Sequence, residues 1–214
     1  MAAPMLPWIA LTTIALAGLL VAEARGSRPG IYVCKPLAST GFVGAAVAAG
    51  ALASPYGRAV LAALILSFLG DVFLMSTRSS LFLAGLASFL LAHAGFGAAF
   101  VLRGQDPAWA AGALTVLAIP AVIVARWLSP HLPREMRLPV LVYIAVITLM
   151  LTLAVGTVAA GSPWILLLGA LAFYLSDLSV ANDRFVREGF VNRLWGLPLY
   201  YAAQLCLAWS VAVS

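Results

Sequence analysis

An all-α membrane protein, a polytopic bundle of eight transmembrane helices, is the fold this sequence predicts, and three observations predict it. Of the 214 residues, 64% are hydrophobic and 9% are charged, where a soluble domain carries about 25% charged residues. Apolar runs of about 20 residues, the length that crosses a bilayer, follow one another along the whole chain, punctuated by Gly, Pro and Arg. The basic residues fall very unevenly among the connections between those runs. Nearly every residue belongs to a run or to a short connection, so residues 1–214 read as a single integral membrane domain with no separate soluble part.

Taken in order, the first run covers 6–23. It reads as a span and not as a signal peptide, because nothing before Glu23 is charged and a signal peptide needs a basic leading region. The second, 31–53, opens on Lys35-Pro36, and proline is well tolerated in a first helical turn. The third, 58–76, contains Asp71, and the fourth, 80–102, contains His93, the only histidine within a span. The fifth covers 108–128. The sixth, 138–160, and the seventh, 163–181, are separated by the tight turn Gly161-Ser162-Pro163, and the seventh contains Asp177. The eighth, 195–213, carries Tyr200 and Gln204.

Connections after odd spans hold nine arginines: 25, 28, 78, 126, 134, 137, 184, 187 and 193. Those after even spans hold only Arg58 and Arg103, and Lys35 falls within the second span. The positive-inside rule then puts the arginine-rich connections in the cytoplasm and both termini outside. The same rule accounts for the net charge of +5 and the pI near 9.7, so no nucleic acid is expected as a partner; the bilayer is. Cys34 and Cys206 lie in apolar surroundings, with no spacing that suggests a disulfide framework or a zinc site.

Asp71 and Asp177 stand alone in the apolar stretches 59–75 and 164–181. A carboxylate in hydrocarbon costs several kcal/mol, so an intramembrane aspartate marks a functional site by default. On the orientation above, each lies about 6–9 Å of helix rise from the cytoplasmic exit. The two share a context, Leu69-Gly70-Asp71 against Leu175-Ser176-Asp177, and one site shared by both is the simplest reading. A structural pair satisfied by Lys35, Ser67, Ser176 or a nearby arginine is the plain alternative. The chemical reading is that two carboxyl groups share a proton, one serving as acid while the other stabilises a cation. Lys35 can either snorkel to the headgroups or pair with an aspartate and offset part of its desolvation cost. His93 is a packing residue or a proton relay. Tyr200 and Gln204, one turn apart on one helix face, serve as interhelical glue or orient a polar substrate. With His131 as the one other histidine, no metal site is expected, and no cofactor.

Five segments in this order resemble the YhhN-like family of membrane lysoplasmalogenases. They are Lys35-Pro36-Leu37-Ala38-Ser39-Thr40, the stretch from Ser67 through Gly70-Asp71 to Met75, Leu91-Ala92-His93 with Phe96, Phe173-Tyr174-Leu175-Ser176-Asp177 with Arg184-Phe185, and Tyr200-Tyr201 with Gln204. The family often has Leu where Val180 stands here, a conservative departure. The resemblance covers most of the chain and implies hydrolysis of the vinyl-ether bond of a lysophospholipid, giving a fatty aldehyde and a glycerophospho-base. For that chemistry the residues expected to be catalytic are Asp71, Asp177 and His93, with Lys35, Ser176, Tyr200 and Gln204 binding substrate. The expected location is a bacterial cell (inner) membrane, with the site toward the cytoplasmic leaflet. An apolar groove for the chain, lined by residues such as Phe68, Phe96 and Phe173, is expected beside it. The competing classes are a proton-coupled transporter, in which the same aspartates bind a proton or ion, and a non-enzymatic lipid-binding membrane protein.

Overall fold

The computed structural model describes residues 3–76 and 78–213, and among them the chain forms eight α-helices with short 3₁₀ and π turns. They are α1 (Leu6–Ala24), α2 (Arg28–Ala48), α3 (Pro55–Leu74), α4 (Ser79–Arg103), α5 (Pro107–Leu128), α6 (Arg134–Ala159), α7 (Trp164–Ala181) and α8 (Phe190–Ala212). Each corresponds to one predicted span. The main shift is at the second, which ends at Ala48 and not near 53. Gly50 adopts φ +89° there, a left-handed conformation that glycine takes without steric cost. Five arginines expected in connections, Arg28, Arg58, Arg134, Arg137 and Arg193, lie in the opening turns of helices instead. The helices simply run on past the apolar part of each run.

Seven of the helical segments are long and apolar enough to cross a membrane. The exception is α8, which carries Asn192, Arg193, Tyr200, Tyr201 and Gln204. It can do so because it packs inside the bundle, against α7, α2, α1 and α3. Consecutive helices pair as α1/α2, α3/α4, α5/α6 and α7/α8, with α4 and α7 also packed on α6. By contrast α5 lies outside, packed chiefly on α6, with only Leu128 buried.

Small residues set the close approaches, as expected where lipid is as apolar as any side chain and packing must drive association. A Cβ on Gly70 would meet the Phe89 ring at 2.6 Å, so glycine beside Asp71 lets α4 lie directly against α3. One end of the bundle is tied shut. Arg103 donates to Ser162 Oγ at 2.9 Å and to the carbonyls of Ser210 and Val213 at 3.0 Å, and it stacks over the Tyr56 ring. Close by, Gln105 bonds the Phe100 and Leu153 carbonyls and Thr157, joining α4 to α6. The other end, where the four arginine-rich connections meet, is hollow.

Candidate active site

That hollow is a cavity of about 710 Å³ lined by residues from all eight helices, among them Lys35, Asp71, Tyr143, Ser176, Asp177 and Tyr200. Asp71 stands in the last turn of α3 and Asp177 just over one turn before the end of α7.

Around Asp71 the carboxylate is enclosed by donors. The residue is 3% exposed. Its Oδ2 accepts a hydrogen bond from Ser39 Oγ and another from Tyr200 Oη, each at 2.7 Å. Lys35 Nζ lies 3.5 Å from Oδ1. Lys35 and Ser39 are four residues apart and therefore share one face of α2, so a single helix supplies both the cation and one hydroxyl. An ionised carboxylate only accepts, and these three partners fit that form. Tyr200 in turn is held in an aromatic cluster with Phe42, Phe89, Phe173 and Tyr201.

Asp177 is surrounded differently. Its side chain is 16% exposed, and Tyr143 Oη donates to its Oδ2 at 2.6 Å. His93 Nε2 lies 3.5 Å from the same oxygen. His93 Nδ1 lies 2.7 Å from the Phe89 carbonyl. A carbonyl can only accept, so Nδ1 carries the hydrogen, and in a neutral ring Nε2 then presents a lone pair. A lone pair facing a carboxylate is repulsive. One proton between Nε2 and the carboxyl, on either group, removes the repulsion. Stacking on Phe173, with ring centroids 4.2 Å apart, holds the imidazole in this position.

The remaining expected residues are placed less directly. Ser176 lines the cavity, but its hydroxyl donates to the Phe173 carbonyl at 2.8 Å. His93 and Gln204 are enclosed and do not line the cavity. The Gln204 amide has no hydrogen-bond partner among the described residues. The expected groove residues are displaced: Phe96 and Phe173 are fully buried in the core, and Phe68 packs against it. Among the described residues no three His, Cys, Asp or Glu side chains are grouped so as to hold a metal ion.

Sequence reasoning assigned nothing to Ser39 or Tyr143. Ser39 was signalled by its distance of one turn from Lys35 and by its place in the Lys35–Thr40 segment of the family resemblance. Tyr143 was signalled by standing alone in an aliphatic run, where a buried phenol needs a partner. At the cavity mouth Arg193 is paired with Glu23, Asp183 and Glu188 at 2.9–3.3 Å. Arg184 stacks over Phe82 at 4.1 Å. Arg28 and Arg187 also line the cavity, and neither makes an ion pair among the described residues.

The YhhN family profile matches residues 30–211, which takes in every helix contributing to this cavity except α1. The chain belongs to the YhhN family. It is 30% identical over 169 residues to the bovine lysoplasmalogenase TMEM86A and 31% identical over 169 residues to the human one, in each case 76% of this chain and 69% of the relative. A lysoplasmalogenase of Mycobacterium tuberculosis is 32% identical over 167 residues, 73% of this chain and 61% of that relative. No solved structure matches the chain. The region matched by the family profile includes both aspartate corners.

Proposed function

We propose that this YhhN protein hydrolyses the vinyl-ether bond of a lysoplasmalogen, releasing a fatty aldehyde and a glycerophospho-base. The observation that carries the reading is one cavity bordered by two carboxyl groups of opposite character, Asp71 enclosed by donors and Asp177 facing a histidine lone pair. Relatives that share the aligned region are named lysoplasmalogenases.

The roles follow from the donor sets. The His93–Asp177 pair holds one proton, and Asp177, the cavity-lining member, gives it to the vinyl carbon that bears the fatty chain. The C=C bond becomes C–H and an oxocarbenium ion forms at the neighbouring carbon. Asp71 stays ionised and stabilises that cation, as the second carboxylate does in glycoside hydrolysis. Water adds to the cation and returns a proton to Asp177, giving a hemiacetal. Collapse of the hemiacetal yields the aldehyde and the glycerol hydroxyl, so the proton account closes with one water consumed. Lys35, Ser39 and Tyr200 keep Asp71 charged and oriented, and Tyr143 orients Asp177. Arg28 and Arg187 meet the phosphate, by the charge-assisted bonding that suits guanidinium to phosphate.

The test is aldehyde release from a lysoplasmalogen by the purified protein in detergent. Release at a steady rate supports the reading; no release from choline or ethanolamine lysoplasmalogens rejects it. We also place the cavity on the cytoplasmic side, on the nine-to-two arginine asymmetry. A reporter fused after Ser214, which lies outside the described residues, should read as extracytoplasmic. A cytoplasmic reading would move the site to the other leaflet.

A further inference from the structure

A second hollow, about 390 Å³ and almost wholly apolar, runs between α4 and α6. Leu83, Ala87 and Leu90 of α4 face Leu138 and Val142 of α6 across it. These positions recur every three to four residues, so each helix turns one stripe toward the gap. The two helices pack on one another. They are joined at the closed end by Gln105, and Gly97 leaves room there for Leu153, which a Cβ would meet at 3.3 Å. They part toward Leu83 and Leu138, where both side chains are exposed at 45% and 71%.

Leu86 and Tyr143 line both this groove and the reaction cavity. Tyr143 is the residue whose hydroxyl donates to Asp177. The groove therefore leads past Tyr143 to the acid corner.

We propose that the α4–α6 groove seats the fatty chain of the substrate and is the lateral opening through which the lipid enters from the bilayer. This rests on the vinyl-ether reading above. The chemistry fixes the direction. The carbon that takes the proton is the one bonded to the rest of the chain, so the chain must leave the site beside the proton donor. The glycerol oxygen points the other way, toward Asp71 and the arginines. An aliphatic chain requires an apolar path that begins at Asp177 and ends in lipid, and the groove begins at Tyr143 and opens between two lipid-facing leucines. The chain gains burial against Leu90 and Val142 without desolvating any charge.

Two measurements test it. Ala87 lines the groove but not the reaction cavity, and Ala87→Trp fills the gap. The ratio of kcat/KM for a hexadecenyl substrate to that for a hexenyl substrate should fall at least about tenfold, since several methylenes lose their burial at about 0.8 kcal/mol each. An unchanged ratio in a monodisperse protein overturns the proposal. The second measurement does not depend on turnover. A non-hydrolysable 1-alkyl lysophospholipid with a diazirine at the chain end is photolysed with the wild-type protein in nanodiscs. Labelling at Leu83, Ala87, Leu90 or Val142 that excess unlabelled 1-alkyl lipid suppresses supports the groove. Labelling that does not compete, or that falls on other helices, overturns it. If the wild type releases no aldehyde yet labels competitively here, the groove stands as a lysolipid chain site and only the hydrolytic reading fails.

Discussion

Asp71 and Asp177 occupy equivalent places, each near the same end of an apolar helix and each on the same cavity, yet their surroundings differ in kind. Asp71 is approached by an ammonium group and two hydroxyls from α2 and α8. Asp177 is approached by one phenol from α6 and by the unprotonated edge of an imidazole from α4. On the proposed mechanism it is not depth in the membrane that sets each carboxyl group's role but the number and sign of its neighbours, which separate a fixed anion from a proton holder. A symmetrical pair would leave that division of labour undecided.

The largest effects should come from removing either carboxyl group. Asp71→Asn and Asp177→Asn should each lower turnover at least about a hundredfold, the lower end of general acid–base contributions, in aldehyde-release assays on protein shown to be monodisperse. Near-normal activity in both variants would end the two-carboxyl mechanism. The comparison sharpens if Asp177→Glu retains part of the rate while Asp71→Glu does not. The Asp71 corner has no room for a longer chain between three donors, whereas Asp177 faces open cavity.

The next effect distinguishes the corners by stability. Lys35→Met leaves a buried carboxylate short of its cation, and breaking such a pair costs about 3 kcal/mol. A lower thermal midpoint in detergent is expected, and Lys35→Met/Asp71→Leu should recover much of it while staying inactive. With the shared proton resting on Asp177, the donor in the proposed mechanism, His93 is uncharged and His93→Gln removes no countercharge. Its thermal midpoint should move much less than that of Lys35→Met. Equal losses in the two variants would mean that Asp177 relies on histidine as Asp71 relies on lysine, and the distinction would dissolve.

Much of this architecture was legible because hydropathy and arginine placement are strong signals in a membrane chain. The eight helices, the lone aspartates and Lys35 on α2 could all be read from spacing. The partners could not. Ser39 and Tyr143 are ordinary residues in apolar helices, and what makes them matter is the rotation of α2 toward α3 and of α6 toward α7, which depends on packing across helices. The chain groove was misread for a related reason. Phenylalanines near the aspartates look like a lining, but Phe96 and Phe173 fill the core and brace His93 and Tyr200. The lining falls to Leu86, Ala87 and Val142, residues with no distinguishing chemistry. Gln204, singled out as a polar residue of α8, is sealed in the core with an unsatisfied amide, and nothing in the structure explains it.

Single hydroxyls give a smaller contrast. Tyr143→Phe and Tyr200→Phe each remove one hydrogen bond to a carboxyl group, worth about 1.5–3 kcal/mol when one partner is charged. Tyr200→Phe should act on stability and on kcat together, since Asp71 keeps only Lys35 and Ser39. Tyr143→Phe should act mainly on kcat, by about tenfold, with KM for a short-chain substrate little changed. The reverse assignment, stability lost at Tyr143 and rate alone at Tyr200, would exchange the roles of the two corners.

The smallest expected effect is none. His93 and Asp177 are each capable of binding a metal, and a bound ion between them would replace the shared proton on which the comparison rests. The geometry argues otherwise. The phenol of Tyr143 already occupies Asp177 Oδ2, and a catalytic zinc needs three protein ligands. Among the described residues His93 and Asp177 are not joined by a third His, Cys, Asp or Glu in a group that could hold a metal ion. Dialysis against EDTA or phenanthroline should therefore leave aldehyde release unchanged, with metal content followed in the same samples. Loss of activity that zinc restores would turn the acid corner into a centre for attack by metal-bound water, and Asp71 would then be the only carboxylate whose role survives.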